Sequence, residues 1–305
     1  MNTRTLTDYA QRAVSPGALS GGTRLRGAKF ESTSEKPLLS IVTAVLNRKD
    51  SLQRTIDSVA GQSYRNVEHV IIDGGSTDGT IDVLRANESR LAYWTSEPDE
   101  GIFDAMNRGV ATSRGEFIAI LNSDDYYAPG ALESVVATIA TTHCDVAYGD
   151  YIFVVQDVGM EKEIVASTEL ELGMTIGHAI FISRKVYERI GMYDARYRYS
   201  ADLDFALRMR SDGVKFAKVL DGRALQYFSS GGAAEAHLFS ASLEATRVLC
   251  ARAGIFRGLI YGAKGIKRVI LRGAQGLNRA VFGEASYLRA KERYYAAAGY
   301  RKKGG

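Results

Sequence analysis

From residue 38 onward, hydrophobic residues arrive in short blocks separated by polar, glycine-containing punctuation. Leu38-Leu39-Ser40-Ile41-Val42-Thr43-Ala44-Val45-Leu46 is a nearly unbroken apolar run of strand length. Such a run suits a parallel strand buried on both faces. Asn47-Arg48-Lys49-Asp50 interrupts it, and Asp50 is placed to cap a helix through Leu52, Ile56 and Val59. Val67–Ile72 reads as a second strand, followed by a helix over Thr80–Ala86 and a short strand at Leu91–Thr95. Ile102, Phe103, Met106 and Val110 give Ile102–Ala111 a helical period, and Phe117–Leu121 is the next strand. Strands alternating with helices at this spacing predict an α/β fold with a mostly parallel central sheet flanked by helices. Residues 1–36 are rich in Thr, Ser, Gly and Arg without a sustained period. They read as a flexible leader carrying at most one short helix near Leu6–Val14.

In open parallel sheets, ligands bind beyond the C-terminal ends of the strands. That rule selects Leu46–Lys49, Asp73–Gly79 and Asn122–Asp125. Asp73-Gly74-Gly75-Ser76-Thr77-Asp78-Gly79 holds two acids and three glycines on one loop. Glycine lets backbone approach a ligand, and a carboxylate accepts hydrogen bonds from a nucleobase or a ribose hydroxyl. A plain Asp-capped turn would explain the loop equally well, and no Gly-Lys-Ser/Thr follows to make it a phosphate loop. Asn122-Ser123-Asp124-Asp125 ends in adjacent acids, which repel unless they are solvated or share a cation. One carboxylate on a divalent metal, with phosphate oxygens completing the shell, is a usual arrangement for a diphosphate substrate.

Composition bounds the class. The chain has 305 residues, 46% hydrophobic and 24% charged, which is enough to build a core. Its two cysteines, Cys144 and Cys250, are too few and too far apart for a disulfide framework or a Cys-rich zinc module. No apolar stretch reaches the roughly 18 residues of a spanning helix, and the N-terminus has no secretory apolar core. The net charge of +4 is unevenly placed: residues 251–305 carry 13 Lys and Arg against two acids. An acidic body with a basic tail suggests a tail that meets an anionic surface.

The segments Ser40–Asn47, Asp73–Thr80, Ser96-Glu97-Pro98-Asp99-Glu100-Gly101-Ile102-Phe103-Asp104-Ala105-Met106-Asn107-Arg108-Gly109 and Leu121–Asp125 occur in that order. Together they resemble the family 2 inverting glycosyltransferases, which have the GT-A fold, and most closely the colanic-acid and exopolysaccharide transferases. The resemblance covers roughly residues 38–232. It implies that Thr43, Val45, Asn47, Asp73, Gly75 and Ser76 line a donor nucleotide pocket, with Asp73 reading the nucleobase. Asp99, Asp104 and Asn107, with Asn122 and Ser123, would lie near the nucleotide and donor sugar. Asn122-Ser123-Asp124 corresponds to the family's Asp-x-Asp, leaving Asp124 as the main protein ligand of Mn²⁺ or Mg²⁺ and Asp125 as a helper. Ser200-Ala201-Asp202-Leu203-Asp204-Phe205 corresponds to the segment that opens a helix on the acceptor side, with Asp202 as general base. His178, Asp204, Gly231 and Gly232 would stand around the acceptor. Ala179 and Ala201 depart from the family pattern.

The implied organisation is a leader over 1–36, a catalytic domain over 37–235 and a helical basic extension over 236–305. The implied reaction is non-processive transfer from a nucleotide-sugar to a saccharide or polyprenyl-diphosphate-linked saccharide. No Gln-x-x-Arg-Trp motif follows and the only tryptophan is Trp94, which argues against a processive synthase. A sugar-1-phosphate nucleotidyltransferase would require glycines that Leu46–Lys49 lacks. A binding protein of the same fold without turnover is the non-enzymatic alternative. In the tail, Ile255, Phe256, Leu259, Ile266, Val269 and Ile270 share one helical face while Arg257, Lys264, Lys267, Arg268 and Arg272 share the other. That layout suits an interfacial membrane helix, weakened by Gly258, Gly262 and Gly265, with packing on the catalytic core or a second protomer as the alternative. The lipid-linked acceptors that the resemblance implies would place the protein peripherally on the cytoplasmic membrane face. No nucleic-acid motif accompanies the charge, and self-association stays open.

Overall fold

The computed structural model describes residues 5–11, 15, 17–33, 35–155, 160–165, 179–230, 237–266, 269, 284–297 and 299–302. The first half alternates as the sequence pattern predicts. It runs α1 (Leu6–Ala10), β1 (Leu19–Gly21), β2 (Leu39–Val45), α2 (Lys49–Ala60), β3 (Val67–Asp73) and α3 (Thr80–Ala86). Then come β4 (Tyr93–Ser96), α4 (Ile102–Thr112), β5 (Phe117–Ile120), β6 (Tyr126–Tyr127) and α5 (Ala131–Thr142). The second half adds β7 (Val146–Tyr148), β8 (Tyr151–Val155), β9 (Met160–Val165), β10 (Ile180–Ser183) and α6 (Arg184–Ile190). It continues through α7 (Ala201–Ser211), β11 (Phe216–Lys218), β12 (Gln226–Ser229) and α8 (Leu238–Ala253). A helix over 255–266, here α9, then precedes α10 (Glu284–Ala297) and β13 (Arg301–Lys302).

The main sheet has eight strands in the order β1-β4-β3-β2-β5-β10-β7-β11. Strand β2 lies inside it, parallel to both β3 and β5, and every one of its residues is buried. This is the environment its unbroken apolar run requires. Strand β10 enters antiparallel between β5 and β7, so the sheet is parallel at its centre and mixed beyond it. The second sheet, β13-β9-β8-β12-β6, stands on the far side of the Asn122–Asp125 turn. Helix α2 begins at Lys49 behind Arg48, which makes no side-chain cap bond; Asp50 lies in the first turn rather than at the expected cap.

The leader departs from expectation. Its β1 pairs antiparallel with β4, Leu19 opposite Ser96 and Gly21 opposite Trp94. Tyr9 of α1 is buried among Val42, Phe103 and Tyr193 in the larger core cluster. Arg24 forms a buried ion pair with Glu68 of β3, and that carboxylate also accepts from Ser40 Oγ and the Arg114 and Gly115 N–H groups. The segment shows no sustained apolar period because β1 is three residues long and, beyond Leu6 and Tyr9, its attachment is polar.

The basic C-terminal extension is also tied to the rest. Leu207 of α7 packs with Val248 and Leu249 of α8. Residues Arg301 and Lys302 pair with Glu161 and Met160 of β9. Helix α9 meets α8 through Gly258, Gly262 and Gly265, whose added Cβ atoms would strike Cys250, Thr246 and Ser242 respectively. The three glycines that weaken the helix by propensity therefore let two helices approach closely. Its large side chains, Ile255, Phe256, Leu259, Ile260 and Ile266, are left exposed.

The Arg24–Glu68 pair gives the first expected outcome. Glu68→Ala strands a buried guanidinium, so the unfolding free energy should fall by about 3–5 kcal/mol in urea denaturation. A loss below about 1 kcal/mol, the scale of a surface pair, would show that this contact does not hold the leader.

Candidate active site

One pocket opens where β2 and β5 end and α7 begins. Asn122, Ser123, Asp124 and Asp202 line it together with Arg48, Arg198 and Tyr199. Its remaining wall is largely apolar, from Ile102, Phe103 and Met106 of α4, Ile120, Ile180, Tyr193 and Phe228. Beneath it Phe103, Tyr187, Tyr193 and Phe205 form a ring cluster, with the Tyr193–Phe205 centroids 4.8 Å apart.

The two adjacent acids after β5 part company. Asp125 turns inward, fully buried, and accepts Ser229 N–H at 2.8 Å and Gln226 Nε2 at 3.1 Å. Burial and the neighbouring Asp124 charge push its carboxyl well above the ordinary range. It is therefore a structural tie to β12 rather than the expected metal helper. Asp124 stays half-buried on the pocket wall. Burial raises its carboxyl from the ordinary value, and Arg48 and Arg54 offset part of the rise. Asn122 Oδ1 beside it is buried without a hydrogen-bond partner. An orphaned amide oxygen next to a carboxylate is an oxygen donor set that suits Mg²⁺ or Mn²⁺, so the residues fit the implied ion. Among the described residues no cluster of three or more His, Cys, Asp and Glu stands ready for a metal, so further ligands would come from a substrate.

Asp202 occupies the first turn of α7, where its Oδ1 accepts Leu203 N–H at 2.8 Å. Burial, with the Glu244 charge adding to it, pushes its carboxyl up to about 7, against the pull of nearby backbone N–H groups. Asp204, two residues on, is a different case. It is fully buried between Arg208 Nε and Arg252 Nε, each at 2.8 Å, and so leaves the acceptor side to hold α7.

The remaining expected residues build the loops instead of lining this pocket. Thr43 is buried, with its hydroxyl 3.0 Å from His69 Nε2, and Val45 packs among Leu52, Ile56 and Trp94. Asp73 is buried and accepts from Gly75 N–H, Ser76 N–H, Ser76 Oγ and Ser96 Oγ. Those four donors match a carboxylate's capacity, so it frames the loop rather than presenting the expected free acceptor. Asn47, in a left-handed conformation at φ 52°, donates its N–H to Ser76 Oγ and accepts Thr77 N–H. Asp99 packs against Gly74, where an added Cβ would lie 2.5 Å from Asp99 Oδ2 and push that carboxylate aside. Asp99 itself accepts Gly101 N–H, and Asp104 is buried in the first turn of α4. Asn107 donates to Tyr9 Oη and the Tyr193 carbonyl and accepts Tyr193 N–H, which fixes the aromatic wall from behind. His178, Gly231 and Gly232 lie outside the described residues.

Arg198, Tyr199 and Tyr193 are pocket residues that the sequence reading did not single out, whereas Phe228 falls in Tyr227–Gly232, a segment whose resemblance to a loop over the active site did point here. Arg198 and Tyr199 immediately precede Ser200-Ala201-Asp202, so the residues leading into the acidic helix were the available signal. Tyr193 carried none, since it looks like a core position.

Residues 40–191 match the Glycosyl transferase family 2. A PGL/p-HBAD biosynthesis glycosyltransferase of Mycobacterium bovis is 32% identical over 201 residues, 64% of this chain and 78% of that protein. The Escherichia coli UDP-Glc:alpha-D-GlcNAc-diphosphoundecaprenol beta-1,3-glucosyltransferase WfaP is 28% identical, covering 58% of this chain and 72% of its own. Among solved structures, the mannosyltransferase PcManGT of Pyrobaculum calidifontis, in complex with GDP-Man and Mn²⁺, superposes with a TM-score of 0.58 at 14% identity, over 90% of this chain and 85% of that one. S. aureus TarS 1-349 with UDP-GlcNAc gives 0.58 at 15%, over 76% and 72%. At such identities the superpositions establish the shared GT-A architecture, and the relatives establish the lineage: this chain is an enzyme of glycosyltransferase family 2.

Proposed function

We propose that the chain moves a sugar from a nucleoside-diphosphate donor, a UDP-sugar, to a hydroxyl of a saccharide or lipid-linked saccharide acceptor in bacterial surface polysaccharide synthesis, with inversion at the anomeric carbon. One observation carries the reading: Asp124 and Asp202 are held above their ordinary carboxyl range and face the same pocket from different elements. The uridine choice rests on the sugar nucleotides in the names of WfaP and the TarS complex.

The chemistry divides between these walls. Asn122 Oδ1 and the Asp124 carboxylate would hold the divalent ion at the donor diphosphate. A bound Mn²⁺ or Mg²⁺ supplies neutralisation of the charge that develops on the leaving diphosphate. Arg48 lines the same wall and adds positive charge there. The acceptor hydroxyl is a poor nucleophile until its proton is taken, and Asp202 is the acid placed to take it. A base poised near neutrality holds its proton weakly enough to turn over and strongly enough to accept it. Direct attack by the hydroxyl displaces the diphosphate in a single step and inverts the sugar carbon, so no covalent enzyme intermediate is required. The apolar wall of Phe103, Met106, Tyr193 and Phe228 offers few hydrogen-bond partners to a water that would compete as acceptor. The nucleotide would lie over the loops framed by Asp73 and Asn47.

The acceptor arrives at a membrane in this reading. Phe239 and Leu243 of α8, with Ile255, Phe256, Leu259, Ile260 and Ile266 of α9, are exposed, and Arg257 and Lys264 lie on the adjoining face of α9. Inward-facing glycines and outward-facing bulky side chains fit a helix that lies in a lipid interface. No helix among the described residues is long and apolar enough to cross a membrane.

Measurements on the base, the metal and the membrane contact test the reading. Asp202→Asn should keep nucleotide affinity and the melting temperature near wild type while lowering transfer by about 10²–10⁴-fold. In the wild type, kcat should rise with pH through about 7, because the carboxyl is protonated and useless as a base below that value. Unreduced transfer by Asp202→Asn would remove the base from this residue. Asp124→Ala should abolish transfer from a UDP-sugar, and EDTA should do the same to the wild type, while Asp125→Ala should lower the melting temperature instead. Full activity in EDTA would refute the metal assignment. For the membrane, co-sedimentation with anionic phosphatidylglycerol vesicles should fall at least tenfold in a Phe256→Ser, Leu259→Ser variant, and equal sedimentation of the two proteins would overturn it.

A further inference from the structure

The segment that leads into the Asp202 helix hangs from another element. Glu244 of α8 accepts the Arg198 N–H through Oε2 at 2.9 Å. Through Oε1 it accepts the Tyr199 and Ser200 N–H groups at 2.7 and 2.8 Å. A helix start leaves N–H groups without intrahelical acceptors, and Ser200 at the cap position makes no side-chain cap bond. One carboxylate from α8 takes three donors at this entry instead. The second tie between the two helices is Arg252 of α8 to Asp204 of α7. Arg198 and Tyr199 line the pocket with Asp202, so the segment that Glu244 grips is itself pocket wall.

We propose that Glu244 is the positioning residue of the base: it fixes Arg198–Ser200 so that Asp202, Arg198 and Tyr199 face the acceptor together, which makes the C-terminal helices part of the catalytic apparatus. This rests on the reading of Asp202 as general base. Among the described residues, the charged and titratable groups around Asp202 are Tyr193 from the loop after α6, Glu244 from α8, Arg198 and Tyr199 at the pocket wall, and Arg48 and Asp124 from the donor side. Of these, Glu244 is the one whose negative charge opposes ionisation of Asp202. Position and proton affinity of the base therefore depend on the same side chain, and the two effects are separable.

Glu244→Gln keeps the shape, removes the charge and places an amide where Arg198 N–H requires an acceptor. The expected result is a kcat lowered about 10- to 100-fold, the scale of misplacing a catalytic group, with nucleotide affinity unchanged. The acid limb of its kcat–pH profile should also move to lower pH, because burial still holds the Asp202 proton but the smaller contribution of the Glu244 charge is gone. Glu244→Asp keeps the charge and shortens the reach, so kcat should fall while the acid limb stays in place. A merely structural clamp would lower the melting temperature and move neither kcat nor the limb. Wild-type kcat in either variant, or an unmoved limb in Glu244→Gln, overturns the proposal; if Glu244→Gln does not fold, kcat of Glu244→Asp decides alone. Failure of the base reading is seen elsewhere, as undiminished transfer by Asp202→Asn.

Discussion

The site depends on one buried carboxylate. Asp125 sits at the junction where the central sheet gives way to the second one, and its acceptors join three pieces of chain. Its side chain takes donors from Ser229 and Gln226 of β12 and from Asn122, and its carbonyl accepts Thr55 Oγ of α2. Gln226 in turn accepts the Ala179 N–H with its Oε1, at the entry to β10. Asp124 keeps its place because its neighbour is anchored: its own carbonyl accepts Ser229 Oγ and Arg54 Nη2. A pocket wall built from β5, β10 and β12 has its alignment set by these few bonds in a region of low polarity, where each is strong and each loss is costly.

The acids of this chain sort by how many donors the fold has already assigned to them. Asp73, Asp125 and Asp204 are buried with their oxygens engaged by hydroxyls, amides or guanidinium groups. Asp124 and Asp202 keep an open side toward the pocket, and desolvation acts on them with fewer donors to counter it. Desolvation without saturation is the condition that leaves a carboxylate ready for a ligand or a proton. The saturated group serves rigidity, and the unsaturated pair is the one left open to the pocket.

The alternating core was legible because burial on both faces forces an apolar run such as Leu39–Val45, and because loops at strand ends must be polar. The order of the motifs also carried the fold and the position of Asp124 and Asp202. Which acid is free was not legible, since the answer lies in partners remote along the chain. Ser96 reaches Asp73 across 23 positions, and Arg252 reaches Asp204 across 48. The ties of the leader were not legible for a related reason: apart from Leu6 and Tyr9 of its short helix, it is held by an ion pair and a three-residue strand, neither of which leaves a hydrophobic period. In the tail, periodicity identified the apolar face of α9 correctly but not which face meets the protein. Small residues carry no hydrophobic signal, and glycine enters a propensity argument only as a defect.

Strand β1 has a consequence for the chain before and during folding. A parallel sheet that ends at β4 would offer a row of unpaired N–H and C=O groups to any other extended chain. The leader fills that row with a strand too short to serve as a template itself. Because β1 precedes every other strand of the sheet it borders, its position is set only after β4 has formed, some seventy residues later in the sequence. Until then the edge is open, and the leader competes with neighbouring molecules for it. Aggregation during refolding should therefore track the delay between sheet formation and capture of the N-terminal strand, more than the stability of the finished core.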